Sequence, residues 1–216
     1  MKIFADTADV EKVREAHELG LADGVTTNPS LVADTGSEYE TVVSDLNEFV
    51  EGPISVQVVA TNTKEMVQEA LEYDTWGDNI VVKVPMTQAG VKALKSIDDH
   101  GIETNATCLF SPIQALIAAK NGASYVSPWF GNVNDAGYDG YALLENTMEI
   151  LDNYEFDTEV IVADVRNPHY IMETAKMGAD VLTLPPWVFE MLWDHPLTDA
   201  YLEGLLDDWG DREGPV

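Results

Sequence analysis

The chain predicts a single (β/α)8 barrel with an extra C-terminal helix. Three observations carry this expectation. Short apolar or β-branched segments alternate with longer amphipathic ones from end to end, eight such units fit into 216 residues, and no Gly-, Pro- or Ser-rich linker divides them. Strands that alternate with helices pair in parallel through right-handed crossovers, and eight units of this size suit a closed barrel. The competing arrangement is an open doubly wound sheet. It is weakened by the lack of any G-x-G-x-x-G or G-x-x-x-x-G-K-[ST] loop after the first strand, an absence that removes only its nucleotide-binding versions.

The strands are expected near 2–5, 24–26, 54–58, 80–84, 102–105, 125–127, 160–163 and 181–183. Helical patterns occupy 9–19, 37–49, 64–73, 88–100, 112–121, 141–154, 168–177 and 187–192, several of them closing on a glycine such as Gly20, Gly101, Gly122 or Gly178. A further helical segment, 198–209, lies beyond the eighth unit, followed by a tail at 210–216. Its Leu202, Leu205, Leu206 and Trp209 would cap the barrel or pack on another subunit. The whole chain, 1–216, is expected to be one domain.

Composition narrows the function classes. With 45% apolar residues the chain should be globular, and no apolar run approaches the ~20 residues of a membrane span. The N-terminus enters a strand-like segment at once, without the basic region and apolar core of a signal peptide, so a soluble cytoplasmic protein is expected. The single cysteine, Cys108, fits a reducing compartment and, beside Leu109 and Phe110, is expected to be a buried core thiol. Eleven Lys and Arg against 39 Asp and Glu give a net charge of −28, spread along the chain. Such a field opposes nucleic acid and anionic membranes and resembles that of proteins from salt-loving organisms. A cation-binding role would want carboxylates at ligand spacing, and there is no EF-hand pattern; Asp207, Asp208 and Asp211 read as a solvated helix end.

The run Asp78-Asn79-Ile80-Val81-Val82-Lys83-Val84-Pro85-Met86-Thr87 sets a lysine inside a strand that reads as buried on both faces. Lys83 either snorkels to solvent, pairs with a carboxylate, or is there for chemistry. In a barrel the C-terminal strand ends carry the site, and those ends hold Asp6; Thr26, Thr27 and Asn28; Gln57; Lys83; Asn105 and Thr107; Ser127; and Asp164 with Arg166. Only the eighth strand is expected to supply no polar group. Taken singly, Asp6 or Asn28 is more often a cap or turn former than a catalyst. The set converging on one buried lysine suits Schiff-base chemistry: a neutral amine, its pKa lowered by desolvation, attacks a ketone, and the iminium withdraws electrons from the neighbouring carbon–carbon bond. Asp6 would orient the amine and move protons, Asn28 and Asn105 would bind hydroxyls, and Gln57 and Thr107 would hold water. No H-E-x-x-H or G-x-S-x-G occurs, and His17, His100, His169 and His195 lie on expected helices or their ends, which leaves a zinc site or a hydrolase triad without support.

At this point a resemblance becomes specific. Phe4-Ala5-Asp6-Thr7-Ala8, Gly24-Val25-Thr26-Thr27-Asn28-Pro29-Ser30-Leu31, Val82-Lys83-Val84-Pro85-Met86-Thr87, Gly101-Ile102-Glu103-Thr104-Asn105-Ala106-Thr107 and Tyr125-Val126-Ser127-Pro128 resemble the small-subunit transaldolases and the related fructose-6-phosphate aldolases, collinearly from Met1 to about Trp209. The resemblance implies a (β/α)8 barrel, Lys83 as Schiff-base lysine, Asp6 as acid/base, and Asn28, Asn105 and Ser127 at substrate-hydroxyl positions. It also implies a sugar substrate, no metal or organic cofactor, and a ring-like homo-oligomer with exchanged C-terminal helices.

Four positions mix or depart from the family pattern. Gln57 stands where transaldolases carry a water-activating glutamate, as in the aldolases, yet Trp129 replaces the tyrosine of those aldolases. Asn132 replaces a phosphate-binding arginine. Asp164 replaces a phosphate-binding serine two residues before Arg166. Losing a charge-assisted contact removes roughly 1.5–3 kcal/mol, and a carboxylate facing a phosphate adds repulsion. The expected substrate is therefore a ketose without a phosphate, donating a dihydroxyacetone unit. The alternatives are an ordinary transaldolase or fructose-6-phosphate aldolase using sugar phosphates, and a non-catalytic sugar-binding barrel, against which the intact Lys83, Asp6, Asn28 and Asn105 count.

Overall fold

Many strands in this chain hand over to helices through a polar residue that caps the next helix. Asp9 accepts from the backbone N–H groups of Glu11 and Lys12, Asn28 from Leu31, Asn62 from Glu65, Thr87 from Gly90, Ser111 from Gln114, Asp139 from Ala142 and Asn167 from Tyr170. Each satisfies N–H groups that the first helical turn leaves without a partner. Proline follows the cap at Pro29, Pro112 and Pro168, where its fixed φ suits the first turn and its missing donor costs nothing.

In a computed structural model that describes residues 1–210, the strands are β1 (Lys2–Asp6), β2 (Gly24–Thr26), β3 (Ile54–Gln57), β4 (Ile80–Pro85), β5 (Thr104–Leu109), β6 (Tyr125–Pro128), β7 (Glu159–Val162) and β8 (Val181–Leu184). All pair in parallel in chain order, and β8 returns to β1, closing the barrel. The helices are α1 (Val10–Glu18), α2 (Pro29–Thr35), α3 (Tyr39–Asn47), α4 (Thr63–Tyr73), α5 (Gln88–Asp98), α6 (Pro112–Lys120), α7 (Phe130–Asp135), α8 (Gly140–Asn153), α9 (Pro168–Met177), α10 (Pro186–Glu190) and α11 (Pro196–Trp209). The expected barrel and C-terminal helix are therefore present. Of the expected tail, residues 211–216 lie outside the described residues.

Two helices, α2 and α7, were not foreseen; at seven and six residues they are too short to establish a periodic pattern. The fifth strand is displaced from its expected 102–105. Gly101 closes the α5 turn at φ 76°, pairing with β4 begins at Thr104 opposite Val82, and β4 runs on to Pro85, which carries its neighbour to Leu109. That extension includes Cys108, which sits at a break in the β5–β6 register with φ 55° and is only half-buried. The expectation of a fully buried core thiol is thus incorrect: Cys108 lies at the irregularity and is only half-buried.

The barrel interior is built in layers. Phe4, Val81, Tyr125, Ile161 and Val181, from five strands, form one buried apolar cluster separate from the core between barrel and helices. Side chains on a strand return to the same face every second residue. One step above this plug, therefore, come Asp6, Lys83, Ser127 and Thr183, facing inward at the C-terminal ends. Val82 and Val84, on either side of Lys83, point outward and are fully buried in the helix-facing core. On β2 the plug position is Gly24, where a Cβ would lie 2.7 Å from Phe4 Cε1 and 2.7 Å from the Pro53 carbonyl oxygen. Glycine here makes room for the phenylalanine ring.

Gly24→Ala should overpack the plug and cost about 1–3 kcal/mol, lowering the melting temperature by roughly 2–4 °C for each kcal/mol in a chain of this size. Calorimetry on Gly24→Ala and on Gly24→Ala/Phe4→Leu checks the cause: the smaller partner should restore much of the loss.

Candidate active site

Lys83 sits centrally in the polar layer. Its backbone registers with Gln57 on β3 and Asn105 on β5, and its side chain is 6% exposed. Among the described residues its hydrogen bond runs to the Thr27 carbonyl oxygen, 3.2 Å from Nζ, and it forms no ion pair within 4 Å. The snorkelling and carboxylate-pairing readings of Lys83 therefore fail. Burial pushes its pKa below the ordinary lysine value, and the charges of Asp6 and Cys108 only partly oppose this.

Asp6 lines the same cavity. Its Oδ1 accepts from Thr26 Oγ1 at 2.8 Å, and Thr26 Oγ1 in turn lies 2.5 Å from Thr183 Oγ1. Burial raises the Asp6 pKa, while Lys83 and the Thr26 hydroxyl pull it down and Asp164 adds to the rise. Burial thus drives both members of the pair toward their neutral forms. Thr183 also lines the cavity, which corrects the expectation that the eighth strand contributes nothing polar. The signal was present in the alternation, since Thr183 follows the plug residue Val181 by two positions.

The cavity has a volume of about 110 Å³ and is bordered by Asp6, Thr26, Asn28 and Lys83 on one side and by Ser127, Trp129, Asn132, Ala163 and Asp164 on the other. Asn28 faces it while its Oδ1 caps α2, so the helix-cap and site readings hold together; the cap fixes the side chain. Asn105 is fully buried behind Ser127: its Oδ1 accepts from Ser127 Oγ at 2.8 Å and its Nδ2 donates to Ser55 Oγ at 3.3 Å. Thr107 is likewise fully buried and accepts from Trp129 Nε1 at 3.2 Å. Gln57 is half-buried beside Lys83 in register. A larger hollow, about 630 Å³, lies against α6, α7 and α8, lined by Phe110, Val133 and Leu143; it shares Asn132 with the cavity but holds neither Lys83 nor Asp6.

At the far end Arg166 is paired with two carboxylates. Its Nε and Nη2 donate to the two oxygens of Asp164 at 2.7 Å each, and Nη1 donates to Asp135, at the end of α7. These carboxylates hold the guanidinium pKa above its ordinary value, chiefly through the Asp164 hydrogen bonds. Asp164 adopts φ 63°, and the missing side chain of Gly131 lets it come close: a Cβ there would collide with the Asp164 carbonyl oxygen and lie 2.6 Å from its Oδ2. Sequence reasoning missed Asp135, because α7 was not foreseen. Among the described residues no group of three or more His, Cys, Asp or Glu side chains has the arrangement of a metal site, and no helix is long and apolar enough to cross a membrane.

Comparison with known proteins agrees with this geometry. Residues 3–210 match the family described as transaldolase/fructose-6-phosphate aldolase. A probable transaldolase of Geotalea uraniireducens is 51% identical over 209 residues, covering 97% of this chain and 98% of its own. Those of Desulfosudis oleivorans and Aquifex aeolicus are 48% and 49% identical over 209 residues, covering 97% of this chain and 98% and 96% of their own. The chain therefore belongs to the transaldolase/fructose-6-phosphate aldolase family.

Proposed function

We propose that this chain is a Schiff-base aldolase or transaldolase that takes a dihydroxyacetone unit from an unphosphorylated ketose, with Lys83 as the nucleophile. The observation that carries the reading is the Lys83 amine itself, buried, without a carboxylate partner and beside Asp6 in a polar cavity. The neutral amine attacks the ketone carbon, and loss of water from the carbinolamine gives an iminium. Asp6 then takes the proton of the β-hydroxyl as the bond between the α and β carbons breaks. The electron pair passes to the iminium nitrogen, an enamine remains on Lys83 and an aldehyde leaves. The enamine attacks a second aldehyde, or is protonated and hydrolysed.

In this reading Gln57 and Thr107 hold the water of imine formation, and Trp129 orients the Thr107 hydroxyl through its indole N–H. Thr26 tunes Asp6, and Asn28, Asn105 and Ser127 bind the hydroxyls of the transferred unit. The bidentate Asp164–Arg166 pair, with Asp135 on the same guanidinium, supports the substrate half. An arginine with two carboxylate partners has little left for a phosphate, and Asn132 adds no charge. We also read the chain 1–216 as one domain of a cytoplasmic homo-oligomer, since α11 buries no residue and exposes Leu202 and Leu205. The acidic surface reads as an adaptation to high salt.

Borohydride reduction with dihydroxyacetone should leave a mass adduct on Lys83 that Lys83→Ala abolishes; a folded wild-type protein that gives no adduct would favour a sugar-binding barrel. Asp6→Asn should lower kcat by about 10²–10⁴. It should also move the acid limb of kcat/KM to lower pH, because removing the anion destabilises the ammonium and frees the amine at lower pH. Specificity is the third check, measured in about 1 M KCl to screen the acidic surface. Wild type should prefer free fructose to fructose 6-phosphate, and Asp164→Ser should raise kcat/KM for the phosphate ester by roughly 10–100-fold, the equivalent of about 1.5–3 kcal/mol. A strong wild-type preference for the ester would sink the substrate half of the proposal alone.

A further inference from the structure

The ladder between β2 and β3 stops one rung short of its natural end, at the carbonyl that Lys83 uses. Val25 pairs with Ile54 and Thr26 with Ser55, so the register continues with Thr27 opposite Val56. In a parallel ladder such a residue donates to the position before its partner and accepts from the position after it. The first bond is made: Thr27 N–H donates to the Ser55 carbonyl at 3.0 Å. The second would run from Gln57 N–H to the Thr27 carbonyl. Gln57 N–H instead donates to the Tyr39 hydroxyl at 2.9 Å, and the Thr27 carbonyl accepts from Lys83 Nζ.

Tyr39, the first residue of α3, is held at this point from both sides. Its hydroxyl is 2.7 Å from Thr27 Oγ1, which itself donates to the Ser55 carbonyl at 2.7 Å. With that proton committed, the Tyr39 hydroxyl donates to Thr27 and accepts from Gln57, so the chain of bonds has one consistent direction. Its ring packs against Tyr73 and Trp76, with centroids 6.0 Å away in each case. Burial raises the phenol pKa, so the hydroxyl keeps the proton it donates.

We propose that Tyr39 is a positioning residue for the reaction: its hydroxyl intercepts the last β2–β3 ladder bond and thereby reserves the Thr27 carbonyl to orient the Lys83 amine. The role rests on the Schiff-base reading given above. A carbonyl that accepts one amine N–H fixes the rotation of the nitrogen, so that its lone pair faces the cavity. Without the Tyr39 hydroxyl, Gln57 N–H completes the ladder bond and withdraws the carbonyl from Lys83. The titratable groups that act on Lys83 are Asp6 from β1 and Cys108 from β5, and no hydrogen bond joins either to Tyr39, so a change at Tyr39 reaches the amine through its two partners, the Gln57 N–H and Thr27.

The test is Tyr39→Phe, with Thr27→Val as a second route that removes the acceptor of the Tyr39 proton, and Tyr73→Phe as a control within the same aromatic cluster. Adduct formation on Lys83 with dihydroxyacetone and borohydride is followed against pH, together with kcat and KM. Tyr39→Phe and Thr27→Val should each lower kcat by about tenfold with KM changed less than about twofold, the pattern of a misoriented nucleophile. The acid limb of adduct formation should move to lower pH in both, because the ammonium loses an acceptor, and Tyr73→Phe should follow wild type. If Tyr39→Phe and Tyr73→Phe lose activity equally, or if wild type and Tyr39→Phe share one pH profile, Tyr39 is only structural and the inference is overturned. A wild-type protein that forms no adduct overturns the Schiff-base reading instead, so the two failures are distinguishable.

Discussion

Desolvation of Lys83 is the constraint to which the residues around it answer. An ammonium in an apolar interior is strongly disfavoured unless it finds a counter-charge or gives up its proton. Here the flanking Val82 and Val84 are fully buried and the layer beneath is an apolar plug. The carboxylate whose charge acts on it, Asp6, has its own pKa raised by burial and spends one oxygen on Thr26. The hydrogen-bond partner that remains is an uncharged backbone carbonyl, which accepts from a neutral amine too and holds an ammonium less firmly than a carboxylate would. That pattern favours a neutral nitrogen, and a stable salt bridge would have defeated it.

The layering follows from strand periodicity and from one absent side chain. Phe4, Val81, Tyr125 and Val181 fix the plug, and the two-residue repeat then leaves Asp6, Lys83, Ser127 and Thr183 no face but the cavity. Gly24 lets the Phe4 ring fill the space that a β2 side chain would have taken. The polar layer therefore stands on an apolar floor, and hydrogen bonds link Asn105 to Ser127 and Ser55 within it.

The barrel and the lysine end of the site were legible in the chain because each depended on a local rule. Alternating patterns gave eight strands, and a lysine in an apolar run identified itself. Asn28 carried two meanings that looked exclusive, cap and ligand, and both hold, since the cap aims the side chain at the cavity. What stayed hidden depended on contacts between distant segments or on irregular backbone. Asp135 reaches Arg166 across 31 positions from a helix too short to leave a pattern. Tyr39 meets Gln57 and Thr27 by interrupting a ladder, which no periodicity encodes. Cys108 departs from its apolar neighbourhood because the register shifts there.

The two ends of the cavity solve opposite electrostatic problems within one chain of net charge −28. A negative field stabilises cations and so works against a neutral Lys83, yet distant surface charge is screened within about 8–10 Å at ordinary ionic strength. Desolvation acts at the nitrogen itself and is not screened, so burial prevails and the lysine pKa falls. At the other end the same abundance of acid supplies Asp164 and Asp135, both within direct contact of Arg166, where screening is weak. The guanidinium stays protonated in proteins, and here its charge is met by pairing with the two carboxylates. Desolvation thus pushes one basic residue toward its neutral form, while the other keeps its charge and is paired with two carboxylates.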